Sequence, residues 1–252
     1  MLEGIKIIEM ATYIAAPSAG GIMADWGADV IKIEPLSGCP MRKFYASAMT
    51  DDYPDNPVSA LDNRGKRAIA VNTGTDEGRE IVRKLVADAD VFLTNVRPGQ
   101  LKQQGLDFDT LSKINPKLVY ASVTGFGLQG EEADKPGFDT AAFNAKSGFG
   151  WIMTPKGAAP APLRTAAGDH ITGIATASGI LAALLKARET GKGTLVESSL
   201  VRSAAYAVGC DYGTWLRYGR IARSRPREEA IVAINNYYMT KDECWLFING
   251  RP

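Results

Sequence analysis

The sequence predicts an α/β fold: a doubly wound, Rossmann-like parallel sheet, followed by the start of a second, smaller α+β domain. Three observations lead there. Short aliphatic runs alternate with amphipathic stretches from Ile5 to Tyr218, the pattern that lays helices on both faces of a parallel sheet. The first strand–helix–strand unit, Ile5 to Glu34, has about the length of a β-α-β motif, whose crossover is right-handed. After Gly219 the texture changes, first to a basic stretch and then to a hairpin pattern.

In chain order, Ile5–Met10 reads as a strand, Ala11–Pro17 as a loop of small residues, and Ser18–Trp26 as a helix with Ser18 as a possible cap. Gly27-Ala28-Asp29 turns the chain into a strand, Val30–Glu34, which Pro35 ends. Leu36–Val58 is polar and irregular, longer than a plain connection needs. Arg67–Asn72 is a third strand, and Asp76–Ala87 an amphipathic helix with two acids in its first turn. Val91–Thr94 is a short buried strand running into Asn95–Gly99, with a helical stretch from Leu106. Leu118–Val123 is a strand, and Gly137-Phe138-Asp139 opens a helix through Ser147. Asp169–Arg188 is a long helix, Thr194–Ser198 a last strand, and Leu200–Tyr218 one further helix. The loops at 11–17, 72–74, 95–99 and 124–127 all follow strands, so they should gather at the carboxyl edge of the sheet, where such folds bind ligands.

These readings divide the chain into a large domain at 1–218, a linker at 219–230, and the beginning of a small domain at 231–252. A hairpin is expected at Tyr237–Ile248 around a Lys-Asp-Glu turn. An apolar strand ending so near Pro252 suggests that a second domain has begun and been cut off.

Composition narrows the function. Apolar residues make up 45% and charged residues 23%, with Lys plus Arg at 29 against Asp plus Glu at 28. A net charge of +1 offers no footprint for nucleic acid or an anionic membrane. The three cysteines, Cys39, Cys210 and Cys244, form no CxxC or Cys/His cluster. No disulfide framework or structural metal is suggested, and a reducing cytoplasm is the natural reading. The apolar run Ile171–Leu185 falls short of the ~20 residues of a membrane span and reads as a core helix, with one wide apolar face of Ile171, Ile174, Ala175, Ala177, Ile180, Leu181, Leu184 and Leu185. His170 is the only histidine, so a Ser-His-Asp triad would have to use it. It reads as a solvated or hydrogen-bonded surface residue.

Asp169 stands at the mouth of that helix. It can be an N-cap, accepting hydrogen bonds from the first free backbone N–H groups. It can also be a catalytic carboxylate at the positive end of the helix dipole. Residue type and position leave both open.

The order of several spaced segments resembles the class III CoA-transferases. The strand Gly4–Glu9 carries it, with Gly27-Ala28-Asp29-Val30-Ile31-Lys32-Ile33-Glu34-Pro35, Asn63-Arg64-Gly65-Lys66-Arg67, Asn95-Val96-Arg97-Pro98-Gly99, Asn115-Pro116-Lys117-Leu118-Val119, Pro136-Gly137-Phe138-Asp139, Gly168-Asp169 and Gly191-Lys192-Gly193. The likeness runs from Gly4 to about Tyr218. Phe138–Phe143 and Gly168-Asp169-His170 are most similar to the clostridial 2-hydroxyacid branch, which serves 2-hydroxyisocaproate or phenyllactate in amino-acid fermentation.

The resemblance implies an enzyme that moves coenzyme A from an acyl-CoA to a carboxylic acid, with Asp169 as nucleophile and no metal. It implies CoA contacts at Val71-Asn72-Thr73 on the adenine side, at Asn95-Val96-Arg97 along the nucleotide and pantetheine, and at Gly137-Phe138-Asp139 by the thioester. It implies a glycine-rich flap near Ile248-Asn249-Gly250 or beyond, and an interlocked homodimer. The sequence departs from the family at Pro35, where a family arginine is absent, and at Ile14, which replaces a glutamine and suggests an apolar acid. Taken singly, Arg97 reads equally as a surface arginine, and Phe138 more readily as core than as a ligand platform.

Three rivals stand beside this reading. A 2-methylacyl-CoA racemase would need a histidine where Phe138 stands. An NAD-dependent dehydrogenase fits Glu34, at the acidic position ending the second strand, but lacks the G-x-G-x-x-G loop. A CoA-binding fragment without turnover is the third.

Overall fold

The computed structural model describes residues 1–43, 56–164 and 166–250. Part of the irregular stretch after Pro35, residues 44–55, lies outside them, as do Thr165 and the last two residues.

Six strands, β1 (Lys6–Met10), β2 (Asp29–Glu34), β3 (Arg67–Ala70), β4 (Val91–Thr94), β5 (Val119–Thr124) and β6 (Leu195–Ser199), form one sheet in the order β3-β2-β1-β4-β5-β6. Every pairing is parallel. Central strands of such a sheet are covered on both faces and read as continuous apolar runs; Val91-Phe92-Leu93-Thr94 is buried throughout. Alternate residues serve opposite faces. Ile7, Leu93, Val119 and Ala121 enter one core cluster, while Ile8, Phe92, Leu118 and Tyr120 enter the other.

Helices α1 (Ala15–Asp25), α2 (Pro57–Asn63), α3 (Asp76–Ala87), α4 (Pro98–Gln104) and α5 (Phe108–Ile114) are followed by a π-helix at Asp139–Lys146. Then come α6 (Phe149–Met153), α7 (Ala167–Thr190), α8 (Leu200–Ala207) and α9 (Gly209–Tyr218). Side-chain caps start several of them: Thr75 accepts from Gly78 N–H, Asp107 from Thr110 N–H, and Ser199 from Arg202 N–H.

Four expectations need correction. Ser18 does not cap α1, which begins at Ala15; the Ser18 hydroxyl instead donates to the Ala15 carbonyl at 2.9 Å. The segment Leu200–Tyr218 is two helices, broken at Val208 before Gly209, where a β-branched residue and a glycine both weaken a helix. The long helix has 24 residues and by length and composition could cross a membrane. Its buried face is also not the one with the largest side chains. Thr172, Gly173, Thr176, Ala177 and Ile180 face inward, while Ile171, Ile174 and Leu185 are exposed. The reason is close approach: a Cβ on Gly173 would lie 3.1 Å from the Ala15 carbonyl oxygen, so only a small-residue face lets α7 pack onto α1.

Past Gly219, strands β7 (Asn235–Met239) and β8 (Trp245–Asn249) pair antiparallel as a separate hairpin. Its turn carries Glu243 at φ +60°.

Candidate active site

The strand order reverses between β1 and β4: the chain leaves β1 toward β2 and leaves β4 toward β5. A crevice opens at such a switch point, beyond the carboxyl ends of the strands. Here it is a cavity of about 340 Å³. Thr12 and Tyr13 follow β1, Asn95, Val96 and Arg97 follow β4, Thr124 ends β5 and Gly125 follows it; Gly137, Phe138 and Asp169 also line the wall.

Asn95 holds two of these loops together. Its Oδ1 accepts from Thr12 N–H at 2.9 Å, and its Nδ2 donates to the Thr12 carbonyl at 2.6 Å. Beside it, the Thr94 hydroxyl donates to the Met10 carbonyl and accepts from Val96 N–H. The Asn95 side chain is thus committed to the wall itself.

Asp169 lies in the first turn of α7, not at its cap. The cap position is Ala166, left-handed at φ +70°, and no side chain caps the helix there. Burial pushes the Asp169 carboxyl up to about 7; the Asp139 carboxylate adds to the rise, His170 opposes it, and Asp62 adds a little more. Asp139 is buried, begins the π-helix, and its Oδ2 makes no hydrogen bond. A π-helical turn is uncommon and often marks a functional site.

Of the residues expected at the site, Asn95, Val96, Arg97, Gly137, Phe138 and Asp169 come together on one cavity. The others do not. Val71 is buried in the core, and Asn72 spends its side chain on Gly74 N–H. Thr73 accepts from Gln104 Nε2 at 3.4 Å, and Gln104 lines a neighbouring groove with Arg97, Gly99, Gln100, Gln103 and Asp134. Arg97 and Gln100 belong to both hollows. Asp139 is buried and does not line the cavity. Ile248, Asn249 and Gly250 do not line the cavity, and neither does Ile14, which packs against Cys39, Met41 and Ala166.

Phe138 is not core. It is 52% exposed, and Tyr13 meets its ring edge-on with centroids 5.5 Å apart. Tyr13 has φ +60°, a rare conformation for a bulky residue and one that points to a functional constraint. Nothing in the sequence marks it out. Glu34, the residue that favours a dinucleotide reading, is occupied: Arg42 donates to both its oxygens, and Cys39 N–H also donates to Oε2. Among the described residues no group of His, Cys, Asp or Glu side chains could hold a metal ion.

The model of CoA-transferase family III matches residues 2–251. The (R)-2-hydroxy-4-methylpentanoate CoA-transferase of Clostridioides difficile is 38% identical over 98% of this chain and 61% of its own length. The cinnamoyl-CoA:phenyllactate CoA-transferase of Clostridium sporogenes is 42% identical over 83% of this chain and 51% of its own. The chain therefore spans between half and two thirds of these relatives. In fold it is similar to a CAIB/BAIF family protein from Brucella suis, with TM-score 0.87 and 31% identity over 96% of this chain and 64% of that one.

Proposed function

The chain belongs to CoA-transferase family III, and from that premise we propose that Asp169 is the nucleophile of an enzyme moving coenzyme A from an acyl-CoA to a carboxylic acid. The observation that carries the reading is the place of Asp169: a half-sequestered carboxylate in the first turn of α7, opening onto the switch-point cavity.

The steps balance without a net proton. The Asp169 carboxylate attacks the thioester carbonyl, the C–S bond breaks, and CoA thiolate leaves an acyl-aspartyl anhydride. The thiolate then attacks the aspartyl carbonyl, releasing the first acid as its carboxylate and leaving an aspartyl-CoA thioester. The acceptor carboxylate attacks that thioester, and the thiolate takes the new acyl group from the resulting anhydride, restoring Asp169. Dividing the transfer in this way replaces one difficult exchange by easier ones. The positive end of α7 favours the ionised nucleophile.

Coenzyme A enters as substrate. Its thioester lies at Asp169, its nucleotide runs past Arg97 toward the groove of Gln100 and Gln104, and Asn95 acts by holding the walls. The acid is a 2-hydroxy acid with an apolar side chain. Tyr13, Ala15, Val123, Phe138 and Leu200 give the cavity an apolar side, and the relatives named above act on a branched and an aryl 2-hydroxy acid. Phe138 disfavours a racemase, which needs a proton-transferring side chain there. In the cell we place the enzyme in the cytoplasm as a homodimer, with its second domain beginning after the Tyr218 helix; light scattering showing a single-chain mass for the whole protein would end the dimer reading.

The test is intact mass after incubation with an acyl-CoA and hydroxylamine. A hydroxamate at Asp169, missing from Asp169→Ala, is the expected result. A protein that binds CoA yet never traps an activated carboxylate would be a binding protein.

A further inference from the structure

His170 is fixed at both ends. Its backbone N–H donates to the Ala166 carbonyl at 2.9 Å, closing the first turn of α7. Its Nε2 meets Asp62 Oδ1 at 3.0 Å. Asp62 sits in the last turn of α2 with its side chain 2% exposed, and its second oxygen has no partner. The next residue, Asn63, is anchored in turn, its Oδ1 accepting from Lys32 Nζ at 2.6 Å.

This tether falls where α7 needs one. The helix is entered through a left-handed alanine and has no capping side chain, a start that costs about 1–2 kcal/mol for a residue with a Cβ. Asp169 lies between Gly168, packed against the Phe143 ring, and His170. Asp62, Asp139 and Asp169 bring three carboxyl groups to this region; Arg64 is paired with Asp25, and Lys32 and Lys66 share Glu9. Among the described residues His170 is the basic side chain hydrogen-bonded to Asp62, and that contact raises its pKa.

We propose that His170 is a positioning residue: tied to Asp62, it fixes the first turn of α7 and sets a positive charge beside Asp169, so that the carboxylate meets the cavity ionised. The inference rests on the reading of Asp169 as the nucleophile.

Two measurements on the full-length protein test it. The first is the NMR titration of the His170 imidazole, assigned by difference against His170→Asn. Asp62→Asn and Asp169→Asn should each lower its midpoint, by about one pH unit for loss of a close opposite charge. An unmoved midpoint in Asp62→Asn overturns the tether without reference to turnover. The second is the rate of hydroxamate formation at Asp169 against pH. His170→Ala should lose about tenfold near pH 6 and recover most of the parent rate near pH 9, the effect of about one unit of pKa. His170→Arg, which keeps a donor and a charge, should restore the acid side. Equal loss at every pH, in step with a lower Tm, would show a structural role only and overturn the proposal. No hydroxamate in the parent at any pH would remove the nucleophile reading, and this role with it.

Discussion

A Cβ added to Gly125 would stand 2.6 Å from the Cα of Gly137. The loop after β5 and the segment entering the π-helix therefore touch backbone to backbone, and both residues line the cavity. Neither glycine has a positive φ, so the requirement is space and not dihedral freedom. Gly125→Ala must push the two segments apart. It should cost about 1–3 kcal/mol in urea unfolding, as overpacking does, and raise KM for the acyl-CoA. An alanine variant with parent stability and KM would mean that the wall yields freely.

With Asp169 as the proposed nucleophile, pH should act with opposite sign on activity and on stability. With its carboxyl pushed up to about 7, the nucleophilic form grows as pH rises, and adduct formation should climb along an acid limb centred near that value. Stability runs the other way. The folded protein holds this proton to a higher pH than the unfolded chain does. Between about pH 4 and 7 it binds more protons than the unfolded state, and stability falls as pH rises through that window. Asp169→Asn removes the conflict. It should abolish transfer and stabilise the fold above pH 7 by up to about 4 kcal/mol, with the gain vanishing near pH 4. Urea titrations at the two ends of the window measure both claims.

Beneath the site, Glu9 is wholly buried between two lysines. Lys66 Nζ donates to Oε2 at 2.7 Å, and Lys32 Nζ lies 3.2 Å from Oε1, near enough for an ion pair but not aligned as a hydrogen bond. Lys66 also donates to the Pro17 carbonyl at 2.8 Å, tying β1 to α1. Removing the shared carboxylate strands both buried lysines: Glu9→Ala should cost about 3–5 kcal/mol, whereas Arg67→Ala, which breaks the exposed pair with Asp29, should leave the midpoint nearly unchanged. Denaturant midpoints of the two variants decide the ranking.

The sheet was legible because each strand is a short aliphatic run bounded by turn residues, and the six emerge in the order a doubly wound fold requires. Glu9 was not legible as a buried ion, since Lys66 reaches it across 57 residues and spacing carries no trace of that meeting. The inward face of α7 is legible only in part: the apolar period picks out Ala177, Ile180 and Leu184, which are buried, together with Ile171, Ile174 and Leu185, which are not. Contact with α1 selects glycine, threonine and alanine, and leaves Ile174 at 59% exposure. At the site, the segment resemblance brought Asp169, Arg97 and Gly137 to one cavity, but it also carried Val71, which the core absorbs. Tyr13 was out of reach: its strained backbone and its contact with Phe138 depend on how two distant loops meet.

Arg97 lines both the cavity and the outer groove, so the CoA path proposed above runs past it. A guanidinium there meets phosphate oxygens through charge-assisted hydrogen bonds of about 1.5–3 kcal/mol. Arg97→Ala should therefore raise KM for the acyl-CoA about 10- to 100-fold. Because the contact is made far from the reacting carbonyl, it is the same in ground and transition states, and kcat should change little. An S-acyl-pantetheine, which lacks the nucleotide, separates this from a local effect: parent and variant should handle it alike. If the variant loses as much on the truncated thioester as on the whole one, Arg97 acts at the thioester or through the wall, and the nucleotide follows another path.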